Sequence, residues 1–360
     1  RLLLSEAKIA QMVESVRELI RLPDPVGRRL VERELDEGLI LSQITVPIGV
    51  IGVIFESRPD ALVQIATLGL KSGNAVLLKG GSEAMRSNRI LFKLIREAAE
   101  SADPLFKDAL HLVETRRHIR ELLKLDSLID LIIPRGSSEL VKSIQAGTKI
   151  PVLGHSEGIC HLFVDREADL DMAVELAYDA KCQYPAVCNA IETLLVHKDM
   201  AKEYLPRLAK RLEGVQLRGD ELTRRIIPAQ KAEEQDWRTE YNDLILAIRV
   251  VDSLGEAIEH INTYGSHHTD AIVTRDEEAA RRFLAEVDSS SVMWNCSTRF
   301  ADGYRYGLGA EVGISTGKIH ARGPVGLEGL TSTKFIVRGR GHLVADYAEG
   351  RRRFTHKDLA

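Results

Sequence analysis

Residues 183–193, Gln-Tyr-Pro-Ala-Val-Cys-Asn-Ala-Ile-Glu-Thr, hold a cysteine in a setting suited to chemistry. Cys188 follows Pro185-Ala186-Val187 and precedes the apolar run Leu194-Leu195-Val196. A thiol after a helix-breaking proline and ahead of a β-type run is easier to reach than one on a helix face. Cys188 is therefore the candidate nucleophile. The thiolate is the reactive form, so backbone N–H groups, a helix N-terminus or basic residues must lie close by. For that residue alone, the competing reading is a buried thiol packed as a small hydrophobe. Cys160 and Cys296 sit in apolar strand contexts and read as inert. Cys182 reads as a packed core thiol, with a regulatory disulfide as the alternative.

A second set of chemical groups sits in loops after strands. The run 46–55 reads as a buried strand entering Glu56-Ser57-Arg58-Pro59-Asp60, where Asp60 is expected to cap a helix over 61–70. The run 75–79 leads into Gly80-Gly81-Ser82 and a helix over 88–99; the run 129–134 leads into Arg135-Gly136-Ser137-Ser138 and a helix over 139–146. Three strand–loop–helix units in succession predict a doubly wound parallel sheet. Polar loops at the carboxyl ends of such strands form ligand crevices. Basic and Gly/Ser residues in all three favour an anionic ligand such as a dinucleotide, although there is no GxGxxG and glycines also serve plain tight turns.

The elements that must position these groups follow in order. Residues 1–22 place apolar side chains at helical spacing, and 35–46 reads as a hairpin arm. A strand over 159–164 and a helix over 170–180 lead to the Cys188 stretch. A second α/β unit then has strands over 244–251, 270–274 and 290–294 and helices over 254–261 and 277–286. The polar, glycine-rich segment 303–329 is functional or disordered by its length, and 335–338 is a last strand. His267-His268 reads as a loop with one satisfied histidine.

The chain has 360 residues, 44% of them hydrophobic, which suggests two packed domains. A net charge of -4 offers no polycation for a phosphate backbone, so nucleic acid is not an expected partner. No apolar stretch is long enough to cross a bilayer. The four cysteines form no CxxC pair and no metal-ligand spacing, and a reducing cytoplasm is the expected location. The chain starts without Met and reads as a fragment or processed chain.

Segments 46–61, 77–84, 129–141, 154–161, 184–197, 239–244, 264–274, 294–316 and 319–330 together resemble the aldehyde dehydrogenase superfamily, and within it closely resemble the γ-glutamyl phosphate reductase family of proline biosynthesis. The resemblance implies an α/β fold of two doubly wound domains, cofactor and catalytic, with a small β oligomerisation arm. The implied parts are an N-terminal helical part of the cofactor domain (1–34), a hairpin arm (35–47), an NADPH-binding domain (48–164), a catalytic domain (165–330) and a C-terminal strand and tail (331–360). It also implies NADPH-dependent reduction of L-glutamyl 5-phosphate to the semialdehyde through a cysteine thioester. A homo-oligomer, dimer or tetramer, and an association with a glutamate 5-kinase are implied in turn.

Carried over by residue, Cys188 matches the nucleophile, and Ser57 and Asn189 are oxyanion candidates. Lys79 matches a ribose contact, Gly136-Ser137 a pyrophosphate turn, and Glu240 the partner of the nicotinamide ribose. Ser82 stands near the place of a carboxylate in NAD-preferring relatives, which leans toward NADP, with Glu83 beside it pulling the other way. Arg58, Arg299, His320 and Arg322 are the candidate substrate residues, with Lys318 as a further cation and Asp302 or Glu311 for an ammonium. Val152-Leu153-Gly154-His155 takes the place of the family's Glu-Leu-Gly-Gly, so its water-activating glutamate is missing.

Overall fold

The computed structural model describes residues 2–56, 59–155 and 157–359. Helix α1 (Glu6–Arg21) is capped by the Ser5 side chain and buries Met12 and Leu19, leaving Ile9, Val13 and Ile20 exposed. Strands β1 (Arg29–Asp36) and β2 (Leu39–Pro47) pair antiparallel. The hairpin thus starts earlier than expected. Arg29, Glu32, Arg33 and Glu34 give the first strand a polar character that hides it from hydropathy.

The first parallel unit runs β3 (Val50–Phe55), α2 (Pro59–Lys71), β4 (Ala75–Lys79), α3 (Met85–Ala102), β5 (Leu110–Leu112), α4 (Arg116–Leu122), β6 (Leu131–Arg135) and α5 (Ser138–Gly147). Its sheet order is β5-β4-β3-β6. Apolar side chains on both faces of β3 and β6 are buried, as a sheet covered on both sides requires. Asp60 does not cap α2: the helix already includes Pro59, which places Asp60 in its first turn. A carboxylate there still complements the helix dipole.

The second unit comprises β7 (Cys160–Val164), α6 (Leu170–Cys182), β8 (Ile191–His197), α7 (Lys198–Arg211), β9 (Gln216–Gly219), α8 (Glu221–Ile226), β10 (Gln230–Lys231), β11 (Ile245–Val251), α9 (Leu254–Tyr264), β12 (Thr269–Val273), α10 (Glu277–Glu286) and β13 (Ser291–Trp294). These strands form one parallel sheet ordered β10-β9-β11-β8-β7-β12-β13. Strand β7 therefore belongs to this sheet, next to β8. All seven residues of β8 are buried, including Glu192 and Thr193.

The segment expected to be a functional or disordered loop is ordered. It contains the small ribbon β14 (Gly313–Ser315) and β15 (Gly323–Val325), and Ala310, Val312, Val325, Leu327 and Leu330 pack into the core of the first sheet. Strand β16 (Thr331–Arg338) then pairs with β2 over eight residue pairs. After α11 (Val344–Ala348), β17 (Lys357–Asp358) closes a four-stranded antiparallel sheet of order β16-β2-β1-β17. Among the described residues no helix is long and apolar enough to cross a membrane.

Candidate active site

A cavity of about 1040 Å³ opens between the two parallel sheets. From the first sheet it takes Glu56, after β3, and Arg135 at the end of β6 with Gly136-Ser137-Ser138 after it. From the second it takes mostly residues that precede strands: His155 and Glu157 before β7, Tyr184 and Ala186 to Asn189 before β8, and Thr239, Glu240 and Asn242 before β11. The carboxyl edge of one sheet therefore faces the amino edge of the other. Cys188 stands at the amino end of β8.

The Cys188 turn is held tightly. A Cβ on Gly158 would lie 2.2 Å from the Cys188 carbonyl oxygen and 2.5 Å from its Cα, so only glycine fits there. The Cys160 thiol donates to the Cys188 carbonyl at 3.1 Å, and burial pushes the Cys160 thiol well above its usual range. Cys160 thus supports the turn as a protonated donor. Cys182 and Cys296 are half-buried with thiols raised by burial, and all four cysteines are free.

Asn189 is 5% exposed and its amide is engaged on both sides. Nδ2 donates to the Ala301 carbonyl at 2.9 Å, and Oδ1 accepts from the Arg299 guanidinium. Asn189 is therefore an anchor for Arg299 rather than a free oxyanion donor. Arg299 is also held by Gln183 Oε1 at 3.0 Å, and burial lowers its pKa, with Arg305 adding to that. Arg305 donates to the Arg299 carbonyl at 2.9 Å. Arg135, Arg238, Arg299 and Arg305 all line the cavity, as do Asp302 and Glu311. Burial raises the Glu311 carboxyl above its usual range.

Two histidines that sequence reasoning set aside lie at the thiol. One ring nitrogen each of His155 and His268 and the Cys188 Sγ are within 4.8 Å of one another. His155 Nδ1 bonds the Ile314 carbonyl at 3.0 Å, and burial lowers its pKa, which keeps the ring neutral. His268 is fully buried. His155 was legible only as the residue in place of the missing glutamate motif; His268, just before β12, carried no signal beyond its type.

The other sequence candidates divide. Gly136, Ser137 and Glu240 line the cavity; Lys79 and Ser82 do not. Lys79 ends β4, two strands from β6 on the same edge, and its ammonium bonds the Gly80 carbonyl; Ser82 begins a 3-10 turn after Gly81. Ser137 caps α5, and its N–H donates to Glu56 Oε2 at 3.1 Å. Burial raises the Glu240 carboxyl, against the pull of the Gly158 N–H. The expectation for His320 and Arg322 is not met in this cavity. His320 bonds the Gly329 carbonyl at 2.9 Å, and Arg322 pairs with Asp288 at 3.0 Å, as Lys318 does at 2.6 Å. Within the segment 310–330, which packs onto the first core, Glu311, Gly313 and Ile314 line the cavity and His320 and Arg322 do not. Ser57 and Arg58 lie outside the described residues.

A sequence model of the aldehyde dehydrogenase family matches residues 2–243, and the chain belongs to that family as an oxidoreductase. It is 59% identical over 361 residues to the γ-glutamyl phosphate reductase of Pelotomaculum thermopropionicum, with 100% of this chain and 83% of that one covered. The γ-glutamyl phosphate reductase of Natronomonas pharaonis is also 59% identical, with 100% and 82% covered. The crystal structure of the γ-glutamyl phosphate reductase of Thermotoga maritima superposes with a TM-score of 0.92 at 44% identity, covering 95% of this chain and 84% of that one. Within the family the chain falls in the γ-glutamyl phosphate reductase branch.

Proposed function

We propose that the chain reduces L-glutamyl 5-phosphate to L-glutamate 5-semialdehyde with release of phosphate, through a thioester on Cys188, in a reducing cytoplasm. The observation that carries this reading is the placement of Cys188 in a cavity lined, among the described residues, by four arginines, in a chain 59% identical to γ-glutamyl phosphate reductases.

His155 bears its proton on Nδ1, because a carbonyl only accepts, so the Nε2 lone pair is available for the Cys188 proton. The thiolate attacks the acyl carbon; the S–C bond forms and the C–O bond to phosphate breaks. Arginines suit the departing phosphate and the α-carboxylate because the planar fork binds oxyanions in pairs. Arg299 is held for that role by Asn189 and Gln183. Asp302 or Glu311 takes the α-ammonium. The Cys188 backbone N–H is the oxyanion donor on this side.

The residues along the first sheet fit a nicotinamide dinucleotide. A Cβ on Gly136 would meet Glu56 Oε2 at 2.5 Å, so this turn is close enough to the β3 end for backbone to cradle a phosphate once Glu56 yields the Ser137 N–H. Glu240 is a half-buried acceptor suited to ribose hydroxyls, and Lys79 with Ser82 gives the adenosine end a cation and a small neutral residue, which favours NADPH. When bound, the reduced nicotinamide supplies hydride to the thioester carbon. Exposed Phe335 and Val337 on β16 suit a homo-oligomer built through the antiparallel sheet.

The reverse assay tests this reading. Glutamate semialdehyde with NADP should give reduced nicotinamide only when phosphate is supplied, and NADP should outpace NAD. Free acid formed at a comparable rate without phosphate would contradict it.

A further inference from the structure

The thiol and the two imidazoles form a donor set that the proposed reaction does not exhaust. His155 has one nitrogen fixed on the Ile314 carbonyl and a lone pair on the other. On His268, Nδ1 meets the Thr269 hydroxyl at 2.8 Å, while Nε2 is buried without a hydrogen-bond partner among the described residues. A buried polar nitrogen left unpaired costs free energy unless something binds it. Thiolate and imidazole are the ligands preferred by borderline-soft divalent cations. A ring nitrogen bonded outward to a carbonyl is the usual support of a metal-binding histidine. In a tetrahedral site, Zn–N of about 2.0–2.1 Å and Zn–S of about 2.3 Å put the donors roughly 3.4–3.6 Å apart. The present donors are within 4.8 Å, so a contraction of about 1 Å by side-chain rotation closes the set.

We propose that His155, Cys188 and His268 bind a zinc-class divalent cation, with the fourth position open to the cavity, and that occupancy reversibly silences the thiol. Binding displaces the Cys188 proton to solvent and changes no oxidation state. The silencing rests on the reading of Cys188 as nucleophile; the binding does not.

Cobalt(II) titrated into the resting protein tests the binding without turnover. A thiolate-to-cobalt charge-transfer band should appear at one equivalent and vanish in Cys188→Ser. His268→Gln and His155→Gln, each checked for native circular dichroism, should weaken cobalt binding by about tenfold or more, and His268→Gln should raise the half-inhibiting zinc concentration by a similar factor. A chelator should restore activity. Cobalt binding without the charge-transfer band, or an affinity unchanged in both histidine variants, overturns the proposal. A band that appears while Cys188→Ser still turns over upholds the metal site and overturns the thioester reading instead.

Discussion

Asn189, the residue immediately after the candidate nucleophile, accepts a hydrogen bond from the buried guanidinium of Arg299, 110 positions later in the chain. The thiol turn and the loop after β13 are thereby one rigid unit. A charge-assisted bond in a buried setting contributes more than a neutral one and costs more when one partner is removed.

Asn189→Ala should therefore lower kcat/KM by roughly 10–100-fold, equivalent to about 1.5–3 kcal/mol, by leaving Arg299 without its acceptor. Arg299→Lys should not rescue the activity, since an ammonium cannot span Gln183 and Asn189 together. Steady-state kinetics of the two variants check this; a Lys variant with full activity would remove Arg299 from the site.

Gly158→Ala places a methyl group on the Cys188 backbone, which has no flexible tip to give way. The expected outcome is a destabilisation of about 1–3 kcal/mol, together with a changed rate of Cys188 alkylation. Thermal melts and iodoacetamide labelling measure the two effects on one sample.

Glu240→Gln should raise KM for the reduced nicotinamide while leaving the alkylation rate of Cys188 unchanged, because Glu240 contacts the Gly158 N–H and not the thiol turn itself. Unaltered cofactor KM would show that the ribose sits elsewhere.

Burial pushes His260 down to about 2, with His161 and Arg249 adding to the effect. Arg249 donates to His260 Nδ1 at 3.1 Å, which a protonated ring could not accept. The folded state thus binds this proton less readily than the unfolded chain. The stability is present above pH 6.5 and is lost as pH falls toward 2, by about 1.4 kcal/mol per unit. Urea melts between pH 7 and 5 should show a steeper loss in the parent chain than in His260→Gln.

Much of the fold was legible because parallel strands buried on both faces are continuous apolar runs. The stretches at 46–55, 129–134 and 194–196 carry that signal, and the helix at Glu277–Glu286 begins and ends where its spacing predicts. The start of strand β1 escaped because Arg29, Glu32, Arg33 and Glu34 break its apolar pattern, although most of them are half-buried in the antiparallel sheet. At the site, Cys188 was legible from its neighbours and Arg299 from the family resemblance. The position of Arg322 was not legible, because adjacency to a glycine-rich loop says nothing about which core the loop folds onto; it pairs with Asp288 outside the cavity lining. His268 was illegible because its role arises from β12 lying beside β7 in the sheet, which brings it near Cys160 and Cys188 from about a hundred residues away.

Mass spectrometry of the denatured protein tests the thioester most directly. With glutamate semialdehyde and NADP supplied and phosphate withheld, a glutamyl adduct should accumulate on the peptide holding Cys188 and disappear when phosphate is added. An unmodified Cys188 during steady turnover, or an adduct on another residue, would contradict the account.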